Sequence, residues 1–336
     1  MSQLSPQKPP ILPPQPRPVR FTQYPLAWFR AFWSFSRPHT IVGTSLSVLA
    51  LYLISWSRVS QASGAGEWYR FFADVSAIFP ALVACLGGNV YIVGLNQLED
   101  VEIDRINKPH LPLASGVFSR GQGMTIIGIA GLLALVLSAS QDRFLMATVW
   151  ISMLIGTAYS LPPIRLKRFP VWASLCIFSV RGAIVNLGLF LHFRWQMTNG
   201  AAGAEYGIPL SVWALTVFIV VFTFAIAIFK DIPDLEGDRQ YQISTFTLQL
   251  GQRSVFNLAR WVLTGCYVGM VLASAAIPGV NAPFLVITHL LALIVLWGLS
   301  LRVNLNNKSS IAQFYQFIWK LFYLEYLLFP IACLLG

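Results

Sequence analysis

Two short stretches gather most of this chain's negative charge. NQLEDVEID (96–104) and KDIPDLEGD (230–238) hold Glu99, Asp100, Glu102, Asp104, Asp231, Asp234, Glu236 and Asp238, eight of its thirteen acids. At about 100° per residue on a helix, Asn96, Asp100 and Asp104 fall within about 80° of one another. Glu99 and Glu102 point elsewhere. Asp231, Asp234 and Asp238 share a face if that helix continues, with a kink or break expected at Pro233 and Gly237. Carboxylates at i and i+4 repel each other, so such a stripe calls for a cation. Oxygen ligands without His or Cys suit a hard ion, Mg2+ in particular. Mg2+ held by few carboxylates shares its coordination with substrate phosphates. The expected chemistry is therefore the handling of a diphosphate, with Asn96, Asp100, Asp104, Asp231, Asp234 and Asp238 as the metal group.

A diphosphate site also needs cations. YSLPPIRLKRFP (159–170) supplies Tyr159, Arg165, Lys167 and Arg168, while Lys108 and Lys230 flank the acid clusters. The basic loop either binds substrate or anchors topology. Arg181 and Asn186 lie inside an apolar run, where an Arg is costly and by default functional. Arg181 either meets the anionic end of a substrate or pairs with an acid, Glu325 being the candidate.

The elements that carry these residues follow from composition. The 336 residues are 56% hydrophobic and 11% charged, and the mean hydropathy is +0.64. Soluble domains carry about 25% charged residues, so the chain reads as an all-α integral membrane protein. Its net charge of +10 is spread over short loops, not clustered on a soluble face as nucleic-acid binding requires. Nine runs are long enough to cross about 30 Å of hydrocarbon: 39–57, 76–98, 122–140, 144–160, 171–193, 208–229, 255–277, 283–301 and 314–335. They put sixteen Lys and Arg on the N-terminal side and only Arg58, Arg70, Arg143 and Arg194 on the other. The positive-inside rule makes the first side, with both acid clusters, cytoplasmic.

The first 38 residues read as a disordered, Pro-rich basic tail and interfacial lead-in, and 39–336 as one membrane domain. The tail lacks a secretory h-region and is short and Ser-poor for a plastid transit peptide. The four cysteines sit inside apolar runs and read as small buried hydrophobes, not a disulfide framework. The clusters also repeat: Asp100 to Asp234 and Asp104 to Asp238 are both 134 residues. That spacing suggests a duplication placing two acidic helix ends opposite each other.

NQLEDVEIDRINKPHLPLASG and KDIPDLEGDRQYQISTFTLQLG resemble the two aspartate-rich motifs of the UbiA superfamily of membrane prenyltransferases, and YSLPPIRLKRFP resembles the loop between them. The resemblance covers most of 30–335. It implies nine helices around a central chamber, open sideways to lipid and capped by the acidic motifs. It gives Asn96, Asp100 and Asp104 the first-motif role, and Asp234 and Asp238 the second. Asp231 has no counterpart in the simplest motif. NKPHLPLASG, FKDIPDLEGD and SRPHTIVGT look most like the members that prenylate homogentisate with loss of carbon dioxide, using phytyl diphosphate. Arg37 and His39 of SRPHT either help hold an anionic substrate or anchor the interface.

Two other readings stay open. A sibling enzyme uses a longer donor or another acceptor, as in solanesyl or geranylgeranyl transfer to homogentisate or in chlorophyll synthesis. A nine-helix transporter would put its charges near the bilayer midplane, whereas these acids sit at helix ends.

Overall fold

The computed structural model describes residues 18–63, 75–198, 200, 207–241 and 243–336. Lys8, Arg17 and Arg70, counted above among the loop cations, lie outside them, as does most of the Pro-rich tail. Among the described residues the structure is helical, without strands.

Long apolar helices form wherever the apolar runs predict them. They are α2 (Pro38–Ser63), α3 (Ile78–Glu99), α5 (Arg120–Ala139), α6 (Arg143–Ser160), the composite α7 (Pro170–Phe178) and α8 (Val185–Met197), α9 (Leu210–Phe229), α12 (Gln252–Ala273), α13 (Ala282–Ser300) and α14 (Lys308–Leu334). All except α6 are long and apolar enough by themselves to cross a membrane. The 18-residue α6 crosses as well, because its ends meet opposite faces of the bundle. Asp142, its N-cap, binds His192 (2.5 Å) and Gln196 (3.1 Å) at the far end of α8. The loop that follows it reaches Asp100 at the end of α3. The chain is an integral membrane protein, with eight such helices and the shorter α6 beside them among the described residues.

Local signals set the helix boundaries. Pro170 opens α7, and Ser119 and Gln122 form a capping box at α5. Asn307 Oδ1 accepts the Ser309 N–H at 2.9 Å, so α14 begins six residues before the expected 314. Helix α1 (Pro25–Phe35), which hydropathy does not announce, precedes the first span. It buries Ala31 and Phe35 and leaves Leu26, Phe29 and Trp33 exposed, as a helix lying in the membrane interface does.

Helices α2, α3, α6, α7, α9 and α14 surround one chamber, while α5, α12 and α13 pack outside this ring. Short helices α4 (Val101–Asn107) and α10 (Leu235–Gln240) cap it, followed by α11 (Phe246–Leu250). Each acidic motif thus bridges the end of a span and a short helix, at Asp100 and across 230–234. The two short helices touch: the Gly237 N–H donates to Asn107 Oδ1 at 2.9 Å. On the outer side, Glu325 of α14 is buried 3.1 Å from His289 Nε2 of α13. The four cysteines are free thiols.

Between α7 and α8, Ser179–Ile184 form a π-helical turn in which the Val185 N–H bonds to Val180 O, five residues back. Such a turn swings side chains out of the α-register and is frequent at functional sites. Gly182 lets it press directly on α9, since a Cβ there would lie 2.7 Å from Val220 Cα and 2.9 Å from its N. Backbone cannot yield as a side chain can, so overpacking here costs about 1–3 kcal/mol. Gly182→Ala should lower the melting temperature in detergent, while Gly128→Ala, with nothing within 4 Å, should match or exceed the parent. Equal melting temperatures for Gly182→Ala and the parent would contradict the packing described.

Candidate active site

The acidic ladder continues through the helix break at Asp100. Backbone N–H groups of Asp100, Asp104 and Lys108 bond to the carbonyls of Asn96, Asp100 and Asp104 at 3.0, 2.8 and 2.7 Å. The i, i+4 spacing therefore holds, and Asn96, Asp100, Asp104 and Lys108 all line the chamber, whose cavity is about 550 Å3. Glu99 and Glu102 do not: Glu102 is exposed and pairs with Arg105 at 2.6 Å. In the second motif the helix stops at Phe229, and Asp231, Asp234 and Asp238 reach the same cavity from the turn and α10.

Each motif is neutralised by lysines. Asp100 receives Lys167 Nζ at 2.6 Å, Arg165 Nη2 at 3.1 Å and Asn96 Nδ2 at 3.1 Å. Asp231 receives Lys230 Nζ at 3.0 Å. Lys108 joins the motifs, bound to Asp234 and 4.0 Å from Asp104. Burial, reinforced by Asp100 and Asp234 against Lys108 and Arg37, pushes the Asp104 carboxyl up to about 6. Burial and then Asp234 and Asp231 push Asp238 up to about 7. Burial works against the Lys230 ammonium, yet Asp231 and Tyr159 hold it well above its ordinary value. Burial is the first cause of both shifts, and neighbouring carboxylates add to it.

These residues fit a hard divalent ion. The donors are carboxylates and one amide, without Cys. Among the described residues no three His, Cys, Asp or Glu side chains already converge as a complete protein-only site.

Below the mouth the lining turns apolar: Ile92, Val93, Ile155, Ala173, Ile177 and Val180. Arg181 enters from the π-turn, its guanidinium 5.1 Å from the Trp319 ring centroid and 5.8 Å from Phe322. Glu325 is taken by His289, so the expected alternative of an Arg181–Glu325 pair does not form. Arg37 and His39 line the cavity at the start of α2, with the His39 ring 4.8 Å from Trp319. Arg37 and Arg165 are the non-glycine residues with left-handed backbone among those described, at φ 55° and 39°. A strained backbone costs about 1–3 kcal/mol and clusters at functional sites.

Three residues named from the sequence, Arg165, Arg168 and Asn186, are not in the cavity lining. Arg168 is exposed to solvent, because the 3-10 turn of residues 166–168 points Lys167 inward and its neighbour out. Asn186 is fully buried outside the lining, where its Oδ1 accepts the Tyr326 hydroxyl at 2.7 Å. Tyr159 lines the cavity, and Arg165 reaches Asp100 from outside the lining. Sequence reasoning missed His110, Tyr315 and Gln316, which also line it. The first is in NKPHLPLASG, where its neighbourhood to Lys108 was the available signal. The other two stand four and three residues before Trp319 on one face of α14, visible only once that face is known to be inward.

A model described as the UbiA prenyltransferase family matches residues 50–321. Homogentisate phytyltransferase of Synechocystis sp. is 53% identical over 309 residues, 91% of this chain and 96% of that one. Probable homogentisate phytyltransferase 1 of Oryza sativa subsp. japonica is 41% identical over 308 residues, 90% of this chain and 73% of that one. A UbiA homolog from Archaeoglobus fulgidus, solved bound to GPP and Mg2+, shares the fold with a TM-score of 0.57 at 15% identity, covering 91% of this chain and 100% of that one.

Removing one ladder charge tests the geometry. Asp100→Asn and Asp234→Asn should each lower turnover by about 100-fold or more with normal expression. Glu102→Gln, outside the cavity, should stay within about twofold of the parent. A Glu102→Gln enzyme as inactive as Asp100→Asn would remove the face assignment.

Proposed function

We infer that the chain, which belongs to the UbiA prenyltransferase family, transfers the phytyl group of phytyl diphosphate to homogentisate with loss of carbon dioxide, forming 2-methyl-6-phytyl-benzoquinol in tocopherol synthesis. The observation that carries this reading is the two-ended chamber: a mouth of paired acids and cations above an apolar interior. It matches a donor with a diphosphate head and a hydrocarbon tail. The near-full-length likeness to homogentisate phytyltransferases supplies the acceptor and the chain.

At the mouth Lys108, Lys167 and Lys230, with Tyr159, hold the diphosphate oxygens, and Arg37 and His39 border them. Asp100, Asp104, Asp234 and Asp238, with Asn96 and Asp231 beside them, would hold Mg2+, which offsets the negative charge of the departing diphosphate. The allylic C–O bond breaks and diphosphate leaves with the electron pair. The electron-rich ring carbon of homogentisate forms the new C–C bond and loses its proton, and the carboxylate departs as carbon dioxide, the electron pair left on the methylene carbon taking up a proton to give the methyl group. The lysines bind the diphosphate of the donor and also stabilise the charge that grows on it as the bond breaks. The apolar lining keeps water from the allylic cation. Arg181, with no acid partner among the described residues, meets the anionic end of a substrate, either diphosphate or acceptor carboxylate. The excess of Lys and Arg in the loops on the motif side supports a cytoplasmic mouth.

The decisive experiment offers the purified protein homogentisate with phytyl, geranylgeranyl and solanesyl diphosphates, and phytyl diphosphate with other aromatic acceptors. Phytyl transfer to homogentisate should dominate and require a divalent cation. A preference for solanesyl diphosphate, or product without homogentisate, would overturn the reading. Lys167→Ala should raise KM for the prenyl diphosphate about tenfold, more than that for homogentisate, while Arg168→Ala should leave both unchanged. If the loop serves topology alone, both variants will behave like the parent. Arg181→Lys keeps charge but loses the planar fork. It should cut kcat/KM about 10-fold to 100-fold at an unchanged melting temperature, and the substrate whose KM rises identifies the anion. A fully active Arg181→Lys enzyme would exclude two-point binding there.

A further inference from the structure

A second polar cavity lies on the motif face but shares no residue with the chamber. It is enclosed by the start of α12, the end of α13 and the connection 301–307, has a volume of about 880 Å3, and is lined by Arg253, Arg260 and Arg302 with Asn257, Asn304 and Gln252. No acid lines it. Lys308 nearby is occupied by Glu236 at 2.6 Å, but none of the three arginines has a carboxylate partner among the described residues. Arg253 and Arg302 are exposed at the rim.

Arg260 is different in kind. It stands eight residues into α12, about 12 Å along the helix axis from its start. Its guanidinium lies 4.5 Å from the Trp297 ring centroid and 5.9 Å from Phe256. Trp297 is itself fixed by its indole N–H, which donates to Thr264 Oγ1 at 3.1 Å. Arg260 Nη2 donates to Asn257 Oδ1 at 3.1 Å, and its Nε is buried without a partner. The group is therefore held rigidly with donor capacity unspent. Beside it, Leu258, Trp261 and Leu301 are exposed on the outside of the bundle, and Trp261 packs against Trp297 at 5.0 Å. The cavity thus joins a cationic floor to an apolar outer wall.

We propose that this cavity binds the headgroup of an anionic membrane lipid, with the phosphate between Arg253, Arg260 and Arg302 and the acyl chains along Leu258, Trp261 and Leu301. A charged Arg this far from the helix end is costly in hydrocarbon, and a headgroup phosphate offsets that cost with charge-assisted hydrogen bonds. A free phosphate has the same anionic chemistry but makes no use of the apolar wall.

The test uses the full-length protein, delipidated in a neutral detergent, with melting temperature as one readout and lipid retained in native mass spectrometry as the other. Phosphatidylglycerol should raise the melting temperature by about 3 °C or more, and one molecule should stay bound. Phosphatidylcholine and inorganic phosphate at equal concentration should do neither. Arg260→Gln should lose the shift and the retained lipid. The rim double variant Arg253→Gln/Arg302→Gln should also lose both, and it keeps the test valid if Arg260→Gln fails to fold. Retention of the full shift by the rim variant, an equal shift with phosphatidylcholine, or an equal shift with phosphate alone would each overturn the proposal.

Discussion

Lys108 holds the two halves of the site together. It leaves the end of α4, binds Asp234 of the second motif and stands 4.0 Å from Asp104 of the first. Around it Asp100 of the first motif is matched by Lys167 from the loop after α6, and Asp231 of the second by its chain neighbour Lys230 at the end of α9. Taking charges out of water costs several kcal/mol per ion unless partners sit close, so the arrangement holds only as a set. The chamber mouth, the packing of α4 on α10 and the position of the basic loop all follow from that requirement.

The interior of the chamber is governed by the opposite constraint. Hydrocarbon-spanning helices satisfy their backbone internally, so polar groups enter the chamber only where side chains are placed there deliberately. Arg181 is one such group, and the structure accommodates it in two ways. The π-turn aims it inward, and the faces of Trp319 and Phe322 take part of its charge. Gly182 follows it so that the widened turn still packs on α9. A reactive allylic cation below a charged mouth needs the same separation, charge above and hydrocarbon beneath.

The fold was legible in the sequence because membrane spans obey one strong rule of length and apolarity. The acid stripe was legible too, since the 100° step survives the break at Asp100. Helix α1 escaped because an interfacial helix rich in aromatics looks neither like a span nor like a soluble amphipathic element. The Glu325–His289 pair escaped because its partners are 36 residues apart on different helices, and no spacing rule relates them. Arg168 and Asn186 were misplaced for a simpler reason. A run of adjacent basic residues does not say which of them a 3-10 turn will bury, and a polar residue inside a span faces a neighbouring helix as readily as a cavity.

The Lys108–Asp234 contact spans 126 residues of chain, and that separation imposes an order on biosynthesis. Asp100 can meet Arg165 and Lys167 once 65 and 67 further residues have been made. Lys108 must wait about twice as long, roughly 6–25 s at 5–20 residues per second. In the later half of that interval the nascent chain presents its first motif tied to the basic loop, while Lys108 has only Asp104 of its own segment beside it. The ribosome therefore delivers the chamber as an open cradle, and insertion of α9 and α10 is the event that latches it.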